Sequence, residues 1–208
     1  MTILLSSFLF EVATLDTSKR CIVTAGAPGS GKTTVIQQIV ANLDFRNVDA
    51  DNILSYLMKR DNMSTNMSKL SWDQKQQIDK YRDDLRRQTM KARDLSAKHG
   101  KGIIIHTTGA NYEWLIGQVN TLINDFGYDV KMLYVDATLE QALERNRGRE
   151  RRIPDRVVAR SYEAVEKNKD KYRAFFGSNF HYISNSFNKA EVRRIERELQ
   201  EWKPAREV

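Results

Sequence analysis

The residues with the clearest chemical potential lie in one short stretch, residues 26–34. A glycine, four further residues and then Gly-Lys-Thr give the Walker A spacing of a phosphate-binding loop. Glycines let backbone N–H groups turn inward around phosphate oxygens, Lys32 adds a full positive charge, and the hydroxyl of Thr33 suits Mg²⁺. The candidate nucleotide-binding residues are Gly26, Pro28, Gly29, Ser30, Gly31, Lys32, Thr33 and Thr34. The stretch therefore predicts a nucleotide site in which Lys32 is catalytic.

Two acids, Asp49 and Asp51, form a second candidate group. They follow a short strand predicted over residues 44–48, and the ligands of an open parallel sheet collect at the carboxyl ends of its strands. A catalytic base and contacts with the acceptor substrate are expected here, and Asp49 is also the candidate second ligand of the metal. One of the two acids can instead cap the helix predicted to follow, and the residues alone leave open which acid has which role.

Small hydroxyl side chains end a later strand. Residues 102–109 begin as a continuous β-branched run, which predicts a strand buried on both faces. Thr107 and Thr108 lie at its end and are candidate substrate contacts. His106 is interpreted as structural, since a single histidine at a strand end more often has that role.

Arginines are concentrated in residues 145–156. This segment contains six arginines and two acids, which give it a local net charge of +4. The guanidinium group stays charged and can bind a phosphate through two hydrogen bonds at once. We therefore predict that residues 145–153 bind phosphate.

Strand and helix patterns alternate along the chain. Strands are predicted over residues 21–25, 44–48, 102–109, 130–136 and 180–185, with helices between them and capping boxes at residues 71–74 and 138–141. Residues 61–70 are polar and predict a mobile loop over the site. This alternation predicts a three-layer α/β/α sandwich around a parallel sheet, in one domain over residues 1–208.

Burial patterns are predicted for two of these helices. In the helix after Ser71 the apolar stripe contains Ile78, Tyr81, Leu85, Ala92 and Leu95. The arginines and lysine of the same helix are interpreted as solvated surface: Arg82, Arg86, Arg87, Lys91 and Arg93. In the helix after Pro154 the predicted buried stripe includes Val157 and Val158.

Composition narrows the class of protein. The 208 residues carry 34 Lys and Arg against 27 Asp and Glu, a net charge of +7 that favours a polyanionic partner. The single cysteine, Cys21, excludes an intrachain disulfide and suits a reducing compartment. The apolar run at residues 3–10 is too short to span a bilayer and is expected to cover the core. We therefore expect a cytoplasmic protein without a membrane partner, of an oligomeric state that the sequence leaves open.

Three separated motifs, residues 26–34, residues 47–52 and the arginine-rich segment from residue 143 to 158, resemble the P-loop kinase family that contains polynucleotide 5′-hydroxyl kinases and zeta-toxin kinases. The resemblance implies a P-loop kinase fold, ATP and Mg²⁺ as cofactors, and transfer of a phosphoryl group to a hydroxyl. It places Asp51 on the family's general base, residues 145–153 on its lid, and Arg145 and Arg149 on its lid arginines. It also places Asn185 near the loop on the adenine side.

Two positions depart from the polynucleotide kinases. Thr107 stands where those enzymes have an aspartate, and Leu54 stands where they have an arginine that binds a nucleotide phosphate. The expected acceptor is therefore a hydroxyl of a nucleic acid or nucleotide. It is either an internal hydroxyl, such as that of a hydroxymethyl pyrimidine in DNA, or a polynucleotide 5′-hydroxyl. Three alternatives stay open: a zeta-toxin-like kinase of a nucleotide sugar or other small molecule, a nucleic-acid-stimulated ATPase that uses Asp136, and a basic DNA-binding module with an inactive nucleotide site.

Overall fold

One five-stranded sheet forms the centre of the part of the chain that the computed structural model describes, residues 17–40, 43–184 and 189–202. Its strands are β1 (Arg20–Ala25), β2 (Phe45–Val48), β3 (Gly102–Ile105), β4 (Asp129–Asp136) and β5 (Phe180–Ser184). The helices are α1 (Lys32–Ile39), α2 (Ala50–Arg60), α3 (Trp72–Lys98), α4 (Tyr112–Phe126), α5 (Leu139–Arg147), α6 (Asp155–Phe176) and α7 (Lys189–Gln200). Two short 3₁₀ helices, Met67–Lys69 and Gly177–Asn179, precede α3 and β5.

All neighbouring strands are parallel, and their order across the sheet is β2, β3, β1, β4, β5. The central strand is β1, in which Val23 lies beside Ile105 of β3 and Met132 of β4. Because the carboxyl ends of parallel strands meet at one edge, the segments that follow β1, β2 and β3 converge there. Those segments contain the candidate loop, the two acids and the two threonines.

Helices cover both faces of the sheet. On one face, Leu115 of α4 and Tyr172 of α6 belong to an apolar cluster with β1, β3 and β4. On the other face, Ile36 of α1 and Leu199 of α7 pack in a second cluster against the same sheet. All four side chains are at least 97% buried. The predicted three-layer sandwich with a parallel sheet is confirmed.

A third apolar cluster packs α2 against α3 and contains Leu54 and Leu85. The segment between the two helices joins it, because Met63 and Leu70 are buried in the same cluster. The sequence predicts a mobile loop over residues 61–70, but the structure anchors this segment through both apolar side chains. The segment of residues 61–70 is therefore packed in place against α2 and α3.

The predicted burial of α3 is wrong in its second half. Leu95 is 61% exposed, whereas Arg93 is only 4% exposed and donates hydrogen bonds to Gln118 of α4 and to Asp94. The reason is a change of neighbour, since the first half of α3 packs on α2 and the second half lies against α4 and β3. A single helical stripe cannot serve both neighbours.

Local signals at helix ends are confirmed. Both capping boxes form, at Ser71 with Gln74 and at Thr138 with Gln141. Within the described residues no helix is long and apolar enough to cross a membrane. The prediction for residues 3–10 lies outside the described residues.

Candidate active site

The loop of residues 26–34 is pressed against the elements around it. Gly26 and Gly29 have φ angles of +142° and +90°, which side-chain-bearing residues rarely adopt. A Cβ on Gly26 would lie 2.3 Å from the carbonyl oxygen of Val135, and a Cβ on Gly29 would lie 2.2 Å from that of Ala142. Both contacts are with backbone atoms, so glycine is required at these two positions for the loop to adopt its curvature.

Lys32 is the first residue of α1, and the loop curls around its ammonium group. Its Nζ donates hydrogen bonds to the carbonyl oxygens of Gly26, at 2.6 Å, and Ala27, at 2.9 Å. Burial, reinforced by the positive charge of Arg149 and opposed by Asp51 and Asp49, lowers the pKa of Lys32 to about 7. An anionic ligand beside this ammonium group would therefore favour its charged form.

The loop fits a nucleoside triphosphate with Mg²⁺. Its positive-φ glycines form a cradle that a Cβ would fill, and Lys32 and Arg149 supply positive charge at one end of a cleft. Thr33 lies in the first turn of α1 with its side chain exposed, as does Thr34. No cluster of three metal-binding side chains occurs among the described residues.

The two acids have different positions. Asp49 is the N-cap of α2, and its Oδ1 accepts a hydrogen bond from the backbone N–H of Asp51 at 2.8 Å. Asp51 lines the cleft, and its side chain is 70% exposed to it. In the structure, therefore, Asp49 begins the helix and Asp51 lies in the cleft.

Arg151 forms a two-point ion pair with Asp51. The Nη1–Oδ2 distance is 2.9 Å and the Nη2–Oδ1 distance is 3.0 Å. The protein walls around Asp51 alone would raise its pKa, but the hydrogen bond and charge of Arg151, with the charges of Lys32 and Arg149, hold this pKa below its usual value. Asp51 is thus ionised throughout the neutral range. Its role beside Arg151 was not apparent from the sequence, because these residues are 100 positions apart.

Asn146 fixes the backbone conformation of the lid. Its side chain is almost completely buried near the end of α5, where its Nδ2 donates to the carbonyl oxygen of Ile153 at 2.8 Å. Its Oδ1 accepts from the backbone N–H of the same residue at 3.2 Å. Sequence analysis missed Asn146. The available signal was its place one helical turn after Ala142, on the inward face of α5.

The lid lies on the segment between α2 and α3. The backbone N–H of Met67 donates to the carbonyl oxygen of Arg152 at 2.8 Å, and Lys59 of α2 forms an ion pair with Glu150 at 3.0 Å. These contacts hold residues 145–153 over the carboxyl ends of the strands. They place Arg149 and Arg151 in the lining of the cleft.

The two predicted lid arginines, Arg145 and Arg149, lie in different environments. Arg149 lines the cleft, but Arg145 does not. The Nη1 atom of Arg145 is buried and, within the part of the chain described, has no hydrogen-bond partner. Helical spacing would put both on one face, but α5 ends at Arg147, so Arg149 follows the path of the loop into the cleft.

Thr107 and Thr108 shape the turn that follows β3. The Oγ1 of Thr107 accepts from the backbone N–H of Gly109 at 3.1 Å, and that of Thr108 accepts from Ala110 at 3.3 Å. The carbonyl oxygen of Thr108 also accepts from the backbone N–H of Gly26 at 2.9 Å, which ties the turn to the phosphate-binding loop. Only Thr108 of the two lines the cleft.

His106 forms a side-chain hydrogen bond with Asn47 of β2 at 2.9 Å. Burial lowers the pKa of this histidine, with Asp49 and Asp51 opposing and Lys32 reinforcing the shift. The bond joins the ends of β2 and β3, in agreement with the structural interpretation. Asn185 lies outside the described residues.

The cleft at this edge has a volume of about 530 Å³. Besides Pro28, Lys32, Asp51, Thr108, Arg149 and Arg151, its lining includes Leu54, Met67, Arg82, Leu85, Arg86, Thr89, Asn111, Trp114, Val157 and Ser161. Arg82 and Arg86 are exposed, in agreement with their interpretation as solvated surface, and this exposed face of α3 also lines the cleft. Val157, predicted to be buried, is 45% exposed and lines the same cleft.

A parallel sheet in this strand order, with a Walker A loop after its central strand, defines a nucleotide-binding P-loop fold of the kinase type. The chain belongs to the AAA domain family AAA_33, whose model matches residues 21–173. The resemblance to P-loop kinases stated from the motifs is confirmed by this match and by the fold.

Solved structures of low sequence identity share this fold. A putative kinase from Chloroflexus aurantiacus J-10-fl superimposes with a TM-score of 0.63 at 11% identity, covering 88% of this chain and 98% of that one. The deoxyadenosine kinase of M. mycoides with bound dATP gives a TM-score of 0.52 at 16% identity, with 86% and 98% covered.

A chain of the Pnkp1/Rnl/Hen1 RNA repair complex gives a TM-score of 0.57 at 17% identity. The likeness covers 74% of this chain and 46% of that chain. No curated protein matches the chain in sequence. At these identities the structural neighbours establish the fold.

Proposed function

We propose that the protein is an ATP-dependent kinase that transfers the γ-phosphate to a hydroxyl of a nucleotide or nucleic acid. The observation that supports this most is the meeting of Lys32, Asp51 and Arg149 in one cleft. Phosphoryl transfer depends mainly on positioned reactants and neutralised charge, which these groups provide.

Each group has a defined role in this proposal. Lys32 and Arg149 neutralise charge on the β- and γ-phosphates, whereas Arg145, which does not line the cleft, has no contact with phosphate in this proposal. Asp51 accepts a hydrogen bond from the acceptor hydroxyl and orients it. Because its pKa is low, it positions this hydroxyl more than it removes the proton early, as suits a loose transition state.

The metal would be held through Thr33 at the start of α1. Mg²⁺ held there would supply positive charge that offsets the negative charge of the phosphates. Asp49 could contribute through Oδ2, which would leave Oδ1 as the cap of α2. Two protein contacts give way when substrates bind: Lys32 exchanges loop carbonyls for phosphate, and Asp51 exchanges part of its contact with Arg151 for the hydroxyl.

The ATPase alternative is weakened by the surroundings of Asp136. This carboxylate, at the end of β4, accepts hydrogen bonds from the hydroxyl of Tyr182 and from Lys169, the latter at 3.3 Å. It is therefore committed to an internal network rather than presented to a water molecule. A zeta-toxin-like kinase of a nucleotide sugar stays the second candidate, because a threonine, Thr108, lines the cleft near the position of the missing aspartate.

Transfer of label from ATP to a panel of acceptors tests the proposal. The panel contains DNA with a hydroxymethyl pyrimidine, unmodified DNA with a 5′-hydroxyl, the matching free nucleotides and a nucleotide sugar. We expect transfer to modified DNA to exceed transfer to the free nucleotide. Label only in the nucleotide sugar would favour the second candidate, and ATP hydrolysis without transfer to any acceptor would reject the kinase function.

A further inference from the structure

The wall of the cleft that α3 forms has no part in the roles proposed above. Arg82, Leu85, Arg86 and Thr89 follow one another at intervals of one to three residues and all line the cleft. Residues three or four apart share a helix face, so α3 presents one continuous face of two cations, an apolar side chain and a hydroxyl. Such a face offers an anion both charge and hydrogen bonds.

The charges in the cleft are unequal. Its lining contains five cationic side chains and one carboxylate, Asp51. Lys32 and Arg149 lie with the phosphate-binding loop, and Arg151 is paired with Asp51. The two arginines of α3 are then left for a second anion, since the polyphosphate of ATP is bound at the loop.

Arg86 is held by an aromatic ring. Its guanidinium carbon lies 5.7 Å from the centre of the Trp114 ring, in cation–π geometry. The Trp114 ring is held by packing against the apolar cluster that α4 forms with the sheet, and the Asn111 side chain caps the start of the same helix through the backbone N–H of Trp114 at 3.0 Å. Arg82 differs, since its Nε lies 3.4 Å from Asp79 on the exposed surface of α3. Arg86 is therefore the better oriented of the two cations.

Apolar surface lies between the acid and these arginines. Leu54 is one helical turn from Asp51 on α2, and Leu85 precedes Arg86 on α3. The two leucines pack in the same apolar cluster and both line the cleft. A substrate that reaches from Asp51 to Arg86 thus crosses apolar side chains, which suit the face of a base or sugar ring.

We infer that Arg86, positioned by Trp114 and assisted by Arg82, binds the phosphate of a nucleoside phosphate acceptor whose hydroxyl points to Asp51. This inference rests on the proposed kinase function and adds the chemistry of its acceptor. It also accounts for Leu54 at a position where polynucleotide kinases have an arginine: the cation that binds the acceptor phosphate comes from α3 instead of α2.

Calorimetric binding of thymidine 3′-monophosphate and of thymidine tests the subsite. The phosphate-binding loop is first saturated with Mg²⁺ and a non-hydrolysable ATP analogue, so that the probe's phosphate cannot bind there. We expect the wild-type protein to bind the nucleotide at least about tenfold more tightly than the nucleoside, as a charge-assisted contact implies. Arg86→Gln should remove this preference and leave thymidine binding unchanged, and Arg82→Gln should reduce it by about threefold.

Arg87→Gln is the matched control. Arg87 is exposed on the same helix, pairs with Asp84 at 3.3 Å and does not line the cleft. It should keep the full preference. Trp114→Phe should keep most of it while Trp114→Ala loses it, with both variants unfolding at similar temperatures. A preference that is absent in the wild type, or that survives Arg86→Gln, would overturn the inference.

The same variants separate this inference from the kinase proposal. Label transfer that Arg86→Gln leaves unchanged rejects the subsite and supports the kinase. An Arg86-dependent preference for the nucleotide, without label transfer to any acceptor, supports the subsite and rejects the kinase. Replacing the probe by an eight-residue thymidine oligonucleotide or by a nucleotide sugar identifies the source of the phosphate. Only the polymer should lose affinity steeply as salt rises.

Discussion

In the proposed kinase, the nucleotide side of the cleft comes from residues 26–34 and Arg149, whereas the acceptor side comes from α2, α3, α4 and Arg151. On the nucleotide side, glycine conformations and one lysine form the site through neighbouring backbone. On the acceptor side, Asp51 meets Arg151 and Arg86 meets Trp114 only because separate elements pack together. We therefore expect that a substitution on one side of the cleft can disable that side without disabling the other. The following predictions test that independence.

The largest effect is expected from Lys32→Ala. Loss of this charge should lower phosphoryl transfer by roughly 10³-fold and weaken ATP binding, because the loop then has no cation at its centre. Initial rates and nucleotide binding by calorimetry measure both effects. Transfer at the wild-type rate would show that the loop is not the catalytic nucleotide site.

Asp51→Asn should affect only the acceptor side. The amide keeps the shape but neither accepts a charge-assisted hydrogen bond nor pairs with Arg151, so turnover should fall by about 10²-fold. Affinity for ATP should stay within about twofold. Asp49→Asn is the control, since asparagine also caps helices and should change stability and turnover little. If Asp49→Asn gives the larger loss of turnover, the roles assigned to the two acids are reversed.

The pH dependence of nucleotide binding should report the nucleotide side alone. In the free protein the pKa of Lys32 is lowered to about 7, and bound phosphates should raise it. Below pH 7 the ammonium group is already charged and binding takes up few protons, whereas above pH 7 binding should take up close to one proton. Affinity should then fall by up to about tenfold per pH unit.

Calorimetry in buffers of different ionisation enthalpy measures this proton uptake. Lys32→Arg is the control, because its guanidinium stays charged throughout and should remove the uptake. Uptake that is equal at pH 6 and pH 8 in the wild type would contradict the assignment to Lys32.

The smallest effect is expected from Asn146→Ala, which acts on the lid. Removing its side chain leaves both backbone groups of Ile153 without their present partner and should lower the free energy of unfolding by about 1–3 kcal/mol. Turnover should fall by about tenfold, since Arg149 and Arg151 lose a fixed support. Denaturant unfolding and rates at saturating ATP test this, and an increase in KM for ATP without a change in turnover would contradict it.

Sequence patterns predicted the fold more fully than the site. The strands of the sheet, both capping boxes and the phosphate-binding loop follow from short-range rules, because each depends on residues within one or two helical turns. The burial of Arg93 and the exposure of Leu95 were not predictable from helical spacing, since α3 changes its packing partner along its length. Position in a periodic pattern does not identify which neighbour a face will meet.

The sequence by itself determined the loop at residues 26–34, the alternation that specifies a parallel sheet, and the two acids at the end of β2. Tertiary structure decided that Asp49 caps α2 while Asp51 enters the cleft, that Arg149 and not Arg145 lines it, and that Arg86 faces the same space. The physical reason is the range of the interactions. A loop conformation and a helix cap depend on backbone geometry over a few residues, whereas an ion pair across 100 positions depends on how whole elements pack.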